Sequence, residues 1–303
     1  MKFGFIGLGK MGIEMAGRAV NYGHEVVGFD VNSKALIDAE NNGIEAAESI
    51  DDLLERLPGH RVIWMQLPPG SVTSNMISCL EKKLTAGDLI IDGGNSDFRD
   101  SVETGKRLEK RGIRFVDIGV SGGVQGARNG AGMLVGASTE EYAELQPIFE
   151  ALCAPKAYSL CGGLGAGHYA KAVHNGVEYA LMQAYAEGYE LLRDSNIDVD
   201  VLATVTAYQN GCSIRSYILE EILKTLTNDV NLSDVEGLVA DSGMGRWTIE
   251  EATRLRIPTP TISAALQARF RSQQEDSPAM QCLAALRGTI GGHPVKRKGM
   301  SHV

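Results

Sequence analysis

The first twelve residues constrain the fold of this chain most strongly. A short apolar run, Lys2 to Ile6, leads directly into Gly7-Leu8-Gly9-Lys10-Met11-Gly12, and a helical pattern follows. In a strand-turn-helix unit of this kind, the first glycine permits the tight turn and the second lets a pyrophosphate approach the backbone. The third lets helix and strand pack closely, and the helix N-terminus faces the phosphates. The pattern predicts a dinucleotide-binding domain.

The next strand favours one dinucleotide over another. It runs from Glu25 to Phe29 and ends at Asp30. A carboxylate there can accept hydrogen bonds from the adenosine ribose hydroxyls and repel a 2′-phosphate, so we expect NAD as the cofactor rather than NADP. The predicted cofactor site comprises Gly7, Leu8, Gly9, Lys10, Met11, Gly12, Asp30, Gln66, Leu67 and Asn95.

Further strands alternate with helical stretches over the first half of the chain. They are predicted at Arg61 to Met65, Asp88 to Asp92, Arg114 to Val120, Met133 to Gly136 and near Tyr158. A capping-box pair, Ser138 and Glu141, starts a helix that runs to about Leu152. Near-continuous apolar strands separated by helices indicate a parallel sheet covered on both faces. We therefore predict an α/β protein whose N-terminal domain, residues 1–164, is a Rossmann-type doubly wound sheet.

A glycine cluster, Gly162 to Gly167, marks the predicted domain boundary, because strand signals fade after it. Helices are predicted at His168 to about Asp194, Val199 to Gln209, Ile214 to Leu226, Thr248 to Leu255, Ile262 to Arg271 and Ala279 to Leu286. Residues 165–303 are thus expected to form a smaller all-helical domain for substrate binding and oligomerisation, with a C-terminal tail.

Composition excludes several classes of protein. The net charge of -9 disfavours nucleic acid as a partner, because phosphate backbones demand a basic surface. No segment offers about 18 uncharged apolar residues, and no signal-like run precedes the first glycines, so we expect a cytoplasmic protein without a membrane partner. The five cysteines form no CxxC pair, and neither a disulfide framework nor a metal site is predicted.

The long helix carries a polar patch. Its members, within roughly a 100° arc of the helix, are Lys171, His174, Asn175 and Glu178. Such a face is ordinarily a solvated one. Here, however, the rest of the helix is apolar nearly all round, including Val173 and Val177, which predicts a buried helix. A lysine and a glutamate on a buried helix are costly unless they face a cleft, where they can exchange protons with a substrate.

Three blocks of sequence identify a family. They are Ile91-Asp92-Gly93-Gly94-Asn95-Ser96; Gly119-Val120-Ser121-Gly122-Gly123 with Gly126-Ala127-Arg128; and Gly167-His168 through Lys171 to His174-Asn175-Gly176 with Glu178-Tyr179. With them, the chain resembles the 6-phosphogluconate dehydrogenases of the β-hydroxyacid dehydrogenase superfamily over essentially its whole length. It lacks the additional helical repeat of the longer members and resembles their short form.

The resemblance implies oxidative decarboxylation of 6-phospho-D-gluconate to D-ribulose 5-phosphate and CO2, with reduction of NAD(P)+, in the pentose phosphate pathway. Neutral Lys171 would take the proton of the C3 hydroxyl as hydride passes to the nicotinamide, and its ammonium form would protonate the ketone during loss of CO2. Glu178 would then protonate C1 of the enediol. No metal is implied, because the keto group β to the carboxylate serves as the electron sink.

The resemblance also implies the substrate contacts. Asn95, His174 and Asn175 would hold the sugar hydroxyls, and the backbone amides of Ser121, Gly122 and Gly123 would bind the carboxylate. The phosphate would lie with Tyr179, Arg246, Thr248 and Arg269. Arg287 and His293 resemble a C-terminal segment that reaches the active site of a neighbouring subunit, which implies a homodimer or homotetramer.

Two other functions remain open from the sequence. One is a β-hydroxyacid dehydrogenase of the 3-hydroxyisobutyrate type, which does not decarboxylate its substrate; Pro68-Pro69 resembles that branch, but the arginines and the His174-Asn175 pair do not. The other is a non-catalytic dinucleotide-binding sensor, which would have no reason to retain Lys171 and Glu178.

Overall fold

The computed structural model describes residues 1–297 of the chain. The chain divides into two compact units, which meet in the sequence at Asn175 and Gly176. This point lies inside the long helix, whereas the domain boundary predicted from the sequence follows residue 164. Each unit is described below by itself.

The first unit is built on an eight-stranded sheet. Its strands are β1 (Lys2–Ile6), β2 (Glu25–Phe29), β3 (Glu45–Ala46), β4 (Val62–Met65), β5 (Leu89–Asp92), β6 (Arg114–Ser121), β7 (Ala131–Gly136) and β8 (Cys153–Gly162). The spatial order is β3-β2-β1-β4-β5-β6-β7-β8, so the chain turns in opposite directions on either side of β1. The carboxyl ends of β1 and β4 flank this reversal, which is where doubly wound sheets bind ligands.

Helices connect the strands. They are α1 (Gly12–Asn21), α2 (Ser33–Asn41), α3 (Ile50–Glu55), α4 (Ser71–Lys83), α5 (Phe98–Glu109), α6 (Gly123–Asn129) and α7 (Thr139–Leu152). The capping box predicted at Ser138 and Glu141 is present at the start of α7. The helices cover both faces of the sheet, since alternate strand residues enter two separate apolar clusters. Phe5 and Trp64 belong to one cluster, and Ile63 and Met65 belong to the other.

One pair of strands departs from the predicted parallel arrangement. All the other pairs in this sheet are parallel, but β6 and β7 are antiparallel, with Gly119 opposite Leu134. The connection between them, which contains only the short helix α6, is shorter than the dozen or so residues that a parallel crossover needs. The short strand β3 was also not predicted from the sequence.

The second unit is helical. A continuous helix, α8 (Ala166–Arg193), leads into it from the first unit, and α9 (Val201–Gly211), α10 (Tyr217–Asn228), α11 (Met244–Leu255), α12 (Pro260–Ser272) and α13 (Pro278–Gly291) follow. The doubly wound sheet followed by an all-helical part is the predicted fold class, which the structure confirms.

The prediction that α8 is buried is wrong for the chain by itself. Val173 is 39% exposed and Val177 is 47% exposed, and Leu181 on the same helix face is exposed as well. An apolar helix face shows that a cover is required but does not say what supplies it. Among residues 1–297, no helix is both long enough and apolar enough to cross a bilayer.

Candidate functional site

The glycine turn after β1 has the shape that a dinucleotide requires. Gly7 has a φ of 96°, a left-handed value that favours glycine. A Cβ on Gly12 would overlap the carbonyl oxygen of Gly7, so only glycine lets α1 begin so close to the turn. A Cβ on Gly9, in contrast, would meet no atom of the described chain within 4 Å. The backbone at Gly9 is therefore open to an approaching pyrophosphate, and the residues present fit the cofactor.

Asp30 ties this turn to the next strand. Its Oδ2 accepts a 2.7 Å hydrogen bond from the N–H of Leu8, and its Oδ1 accepts a 2.9 Å bond from the N–H of Asn32. Leu8 is buried, while Lys10 is exposed and Met11 packs against the core. The carboxylate of Asp30 thus lies at the carboxyl end of β2, beside the turn.

The residues predicted beyond β4 border the same turn. A Cβ on Gly7 would lie 2.5 Å from the carbonyl oxygen of Gln66 and 2.9 Å from Cδ2 of Leu67. The side chain of Gln66 is turned to the sheet, since its Oε1 accepts a 3.1 Å bond from the indole of Trp64. The backbone at Gln66 and Leu67 therefore contributes to the wall of the cofactor turn.

Asn95 joins the loop after β5 to the end of β6. It adopts a left-handed conformation with a φ of 57°. Its amide pairs twice with the backbone of Val120: Oδ1 accepts from the N–H at 2.9 Å, and Nδ2 donates to the carbonyl oxygen at 3.2 Å. Asn95 thereby fixes the backbone directly before Ser121. The sequence predicted ligand contacts for Asn95 but not this bond.

The turn after β6 carries two consecutive left-handed glycines. Gly122 has a φ of 110° and Gly123 a φ of 57°. Successive backbone N–H groups in such a turn can converge on an anion. The turn follows Ser121 at the carboxyl end of β6, where the family resemblance implies a site for the substrate carboxylate.

Lys171 is the centre of a polar cluster on α8. Its side chain is buried, with 4% relative exposure, and its Nζ lies 3.4 Å from Nδ1 of His174. The same Nδ1 lies 3.0 Å from Oδ1 of Asn175, and Nε2 of His174 lies 3.4 Å from Oγ of Ser121. The structure thus brings together four of the predicted site residues within the first unit. Glu178 follows two helical turns after Lys171 on α8 and is half-buried.

Three residues beside this cluster received no role from the sequence. Asp117 and His168 are fully buried, and Gly119 packs directly against Lys171. The signal that could have found them is the alternation Asp117-x-Gly119-x-Ser121, which puts two polar residues and a gap on one face of a strand.

A second group of predicted residues gathers in the helical unit. The guanidinium of Arg269 lies over the ring of Tyr179, 3.5 Å from its centroid. The hydroxyl of Tyr179 lies 3.0 Å from Oγ of Ser242, and Arg246 forms a 2.7 Å ion pair with Asp241. These cations therefore surround the loop that precedes α11.

The remaining predicted phosphate residues differ in their surroundings. Thr248 is buried, and its hydroxyl donates to the carbonyl oxygen of Met244. Within residues 1–297, Arg287 is exposed in the last turn of α13, and His293 is exposed two residues after that helix ends. In the same described part, no residue of α13 is buried.

Two models of known protein families match successive parts of the chain. The family model of the NAD binding domain of 6-phosphogluconate dehydrogenase matches residues 2–163, and that of the 6-phosphogluconate dehydrogenase C-terminal domain matches residues 167–290. The chain belongs to the 6-phosphogluconate dehydrogenase family.

Relatives in this family are of two lengths. The NAD(+)-dependent, decarboxylating 6-phosphogluconate dehydrogenase of Haloferax volcanii is 39% identical over 98% of this chain and 99% of its own length. The decarboxylating enzyme of Cunninghamella elegans is 33% identical over 90% of this chain but only 60% of its own length. The chain is therefore a short 6-phosphogluconate dehydrogenase homologue, as its sequence predicts.

Solved structures share the fold. The Plasmodium falciparum 6-phosphogluconate dehydrogenase has a TM-score of 0.81 at 25% identity, covering 99% of this chain and 67% of its own. The 3-hydroxyisobutyrate dehydrogenase of Mycobacterium tuberculosis has a TM-score of 0.72 at 22% identity, covering 94% of this chain and 99% of its own. The second likeness extends to the fold alone.

Proposed function

We propose that this protein oxidises 6-phospho-D-gluconate with NAD and decarboxylates it to D-ribulose 5-phosphate, as a cytoplasmic enzyme of the pentose phosphate pathway. The observation that carries the proposal is the burial of Lys171 with its Nζ 3.4 Å from His174. A buried amine held among polar groups is suited to proton transfer, whereas a sensor without chemistry has no use for one. The relative from Haloferax volcanii, whose name gives this activity, aligns over 98% of this chain.

Lys171 has two tasks in the proposed reaction. Bound NAD supplies the hydride acceptor. Neutral Lys171 takes the proton of the C3 hydroxyl while C3 is oxidised to a ketone, and the resulting ammonium returns that proton to the ketone oxygen as the C1–C2 bond breaks and CO2 leaves. Glu178 then donates a proton to C1 of the enediol, which was C2 of the substrate, while Lys171, neutral again, takes the proton of the neighbouring enediol hydroxyl, and the ketose product results. In this scheme the substrate's own ketone accepts the electron pair, and no metal takes part.

The substrate carboxylate is assigned to the turn after β6. The backbone N–H groups of Ser121, Gly122 and Gly123 can hold an anion without adding a cation that would stabilise the carboxylate against loss of CO2. Among the described residues, no group of three or more His, Cys, Asp or Glu side chains could bind a metal. Asn95, His174 and Asn175 are assigned to the sugar hydroxyls.

The phosphate is assigned to the helical unit. Arg246 and Arg269 carry guanidinium groups, which bind phosphate through paired hydrogen bonds, and Tyr179 and Thr248 offer hydroxyls. Arg287 and His293 are assigned to the site of a neighbouring subunit, because α13, which carries Arg287 and directly precedes His293, buries none of its described residues.

A homodimer or homotetramer follows from the same reasoning. Val173, Val177 and Leu181 form an exposed apolar face on α8, and α13 exposes Met280 and Leu283. Exposed apolar faces of this kind mark protein interfaces. The cytoplasmic assignment is supported by the cysteines, all five of which are free thiols, as is usual in a reducing compartment.

One assay separates this function from its alternatives. Purified protein is mixed with NAD and 6-phosphogluconate, and NADH and CO2 are followed together. The proposal predicts equal amounts of both products. NADH without CO2 indicates a dehydrogenase that does not decarboxylate, and the absence of both products, with NAD still bound, indicates a sensor.

A further inference from the structure

Alternate residues of β6 contact residues spaced three apart along α8. Alternate residues of a strand point to the same side, so Asp117, Gly119 and Ser121 share a face. In the first contact, the carboxylate of Asp117 accepts hydrogen bonds from the N–H of Gly165 at 2.6 Å and the N–H of His168 at 2.8 Å. Gly165 directly precedes α8 and His168 lies in its first turn, where the helix itself offers no acceptor for the N–H groups. Asp117 therefore anchors the first turn of α8 to the strand.

In the second contact, Gly119 leaves room on the strand for Lys171. A Cβ on Gly119 would overlap Cβ of Lys171 and lie 2.9 Å from its Cγ. In the third contact, Oγ of Ser121 lies 3.4 Å from Nε2 of His174. The helix residues of the three contacts, His168, Lys171 and His174, are three positions apart, so they lie on one helix face.

A second glycine sets how closely α8 approaches the sheet. A Cβ on Gly167 would overlap the carbonyl oxygen of Asp117 and lie 2.5 Å from that of Leu134, so the backbone of α8 touches both β6 and β7. His168 is buried in the same junction, with Nδ1 2.7 Å from Oγ of Ser101. Within residues 1–297, its Nε2 has no hydrogen-bond partner. The junction is thus close-packed around the anchor.

We propose that Asp117 and Gly119 are positioning residues that set the place of Lys171. Asp117 fixes the start of α8 along β6, and Gly119 fixes how closely Lys171 approaches the strand. The inference rests on the proposed function for its kinetic consequence but not for the placement itself. Neither residue needs to touch the substrate.

Gly119→Ala tests the steric part. Carbon atoms in contact lie about 3.5 to 4.0 Å apart, so Lys171 must retreat by roughly 1 Å. A misplacement of this size lowers kcat by about 100-fold, while the Kd for NAD and the KM for 6-phosphogluconate change by less than about threefold. Gly17→Ala is the matched control, because its added Cβ would lie 3.6 Å from Asn42, an ordinary contact.

Asp117→Asn tests the hydrogen bonds that hold the start of α8 without adding any atom that could clash. This variant is the one to use if Gly119→Ala does not fold. An amide can accept only one of the two hydrogen bonds, and its NH2 group faces the other N–H, so we expect kcat to fall about tenfold. A fall of kcat with unchanged NAD binding supports positioning. Wild-type kcat in the folded variants overturns it, and so does an equal loss of NAD binding, which indicates a general structural role.

A measurement without turnover keeps the two proposals apart. Native protein is treated briefly with acetic anhydride, and modification of Lys171 is quantified by peptide mass spectrometry. Since Lys171 is buried, displacement in either variant should raise its labelling rate at least about threefold above that of Gly17→Ala. An unchanged rate overturns the positioning role even if the wild-type protein proves inactive, whereas an inactive wild type with altered labelling overturns only the proposed function.

Discussion

The backbone N–H of Leu8 donates a 2.7 Å hydrogen bond to Oδ2 of Asp30. The carboxylate therefore holds the glycine turn and the carboxyl end of β2 together at the predicted cofactor site. Each carboxylate oxygen can accept more than one hydrogen bond. The oxygens that accept from the N–H groups of Leu8 and Asn32 can therefore also accept from ribose hydroxyls. The same negative charge repels a 2′-phosphate.

Replacing this carboxylate should weaken the preference for NAD. In Asp30→Ala, kcat/KM for NAD falls by about tenfold, because the hydroxyl acceptors and the bond to Leu8 are lost together. With NADP the repulsion is also removed, so the ratio of the two efficiencies shrinks. Steady-state kinetics with both cofactors measure this ratio. Asp38→Ala, an exposed acid of α2, is the control, and a wild-type preference for NADP contradicts the assignment.

Arg269 should act on substrate binding rather than on the chemical step. Its guanidinium is held over Tyr179 in the helical unit. Loss of a charge-assisted phosphate contact raises the KM for 6-phosphogluconate by about 10- to 100-fold in Arg269→Ala, with a smaller change in kcat. Arg271→Ala, two residues later on α12, should leave the KM unchanged. A KM near the wild-type value in Arg269→Ala removes this residue from the phosphate site.

Arg287 should serve the site of another subunit. Arg287→Ala loses a phosphate contact, which raises the KM for 6-phosphogluconate. Lys171→Met lacks the amine that transfers the proton and is inactive. If the two variants exchange subunits at random into dimers, some sites receive both native residues, and about a quarter of the wild-type activity returns on mixing. Activity that stays at the sum of the separate variants shows that both residues act within one chain.

Asp88 should make stability depend on acid pH. Its side chain is 1% exposed, and this burial opposes ionisation, but the N–H groups of Thr85 and Arg61 and the Arg61 guanidinium outweigh it and lower the pKa of Asp88. A lowered pKa in the folded state stabilises the protein above the unfolded pKa of about 3.8, and the gain is lost as pH falls through the folded pKa.

Asp88→Asn therefore unfolds more easily at neutral pH. We expect a loss of about 1 to 3 kcal/mol in the free energy of unfolding at pH 7 and a smaller loss at pH 3.5. Urea denaturation at the two pH values measures both. Asp51→Asn, which removes an exposed acid paired with Lys83, is the control and should lower the free energy of unfolding less than Asp88→Asn does. An equal loss at both pH values for Asp88→Asn contradicts the pKa argument.

The sequence predicted the strands well where apolar runs are continuous. The bounds of β1 and β2 agree with the prediction, because both strands are buried on two faces and end at turn residues. The strand β3 has only two residues and follows a glycine turn, so it carries no periodic signal. The antiparallel direction of β7 could not be predicted either, since a buried strand has the same apolar pattern in either direction.

The sequence predicted the polar cluster on α8 but not the residues that support it. Lys171, His174 and Asn175 were found because helical spacing puts them on one face. Asp117 and Gly119 are separated from them by about fifty residues, and only the register of β6 against α8 brings them into contact. Burial of the apolar face of α8 was predicted wrongly, because helical spacing shows which residues share a face but not whether another element packs on it.

The central claim is that Lys171 carries the proton chemistry, and Lys171→Met tests it most directly. Methionine keeps a long apolar side chain but removes the amine, while the cofactor turn around Gly7 and Asp30 is untouched. The measurement is the rate of NADH formation from NAD and 6-phosphogluconate, with the Kd for NAD determined on the same sample. The account predicts that kcat falls by about 1,000-fold or more while NAD still binds. Turnover within about tenfold of the wild-type rate would contradict it.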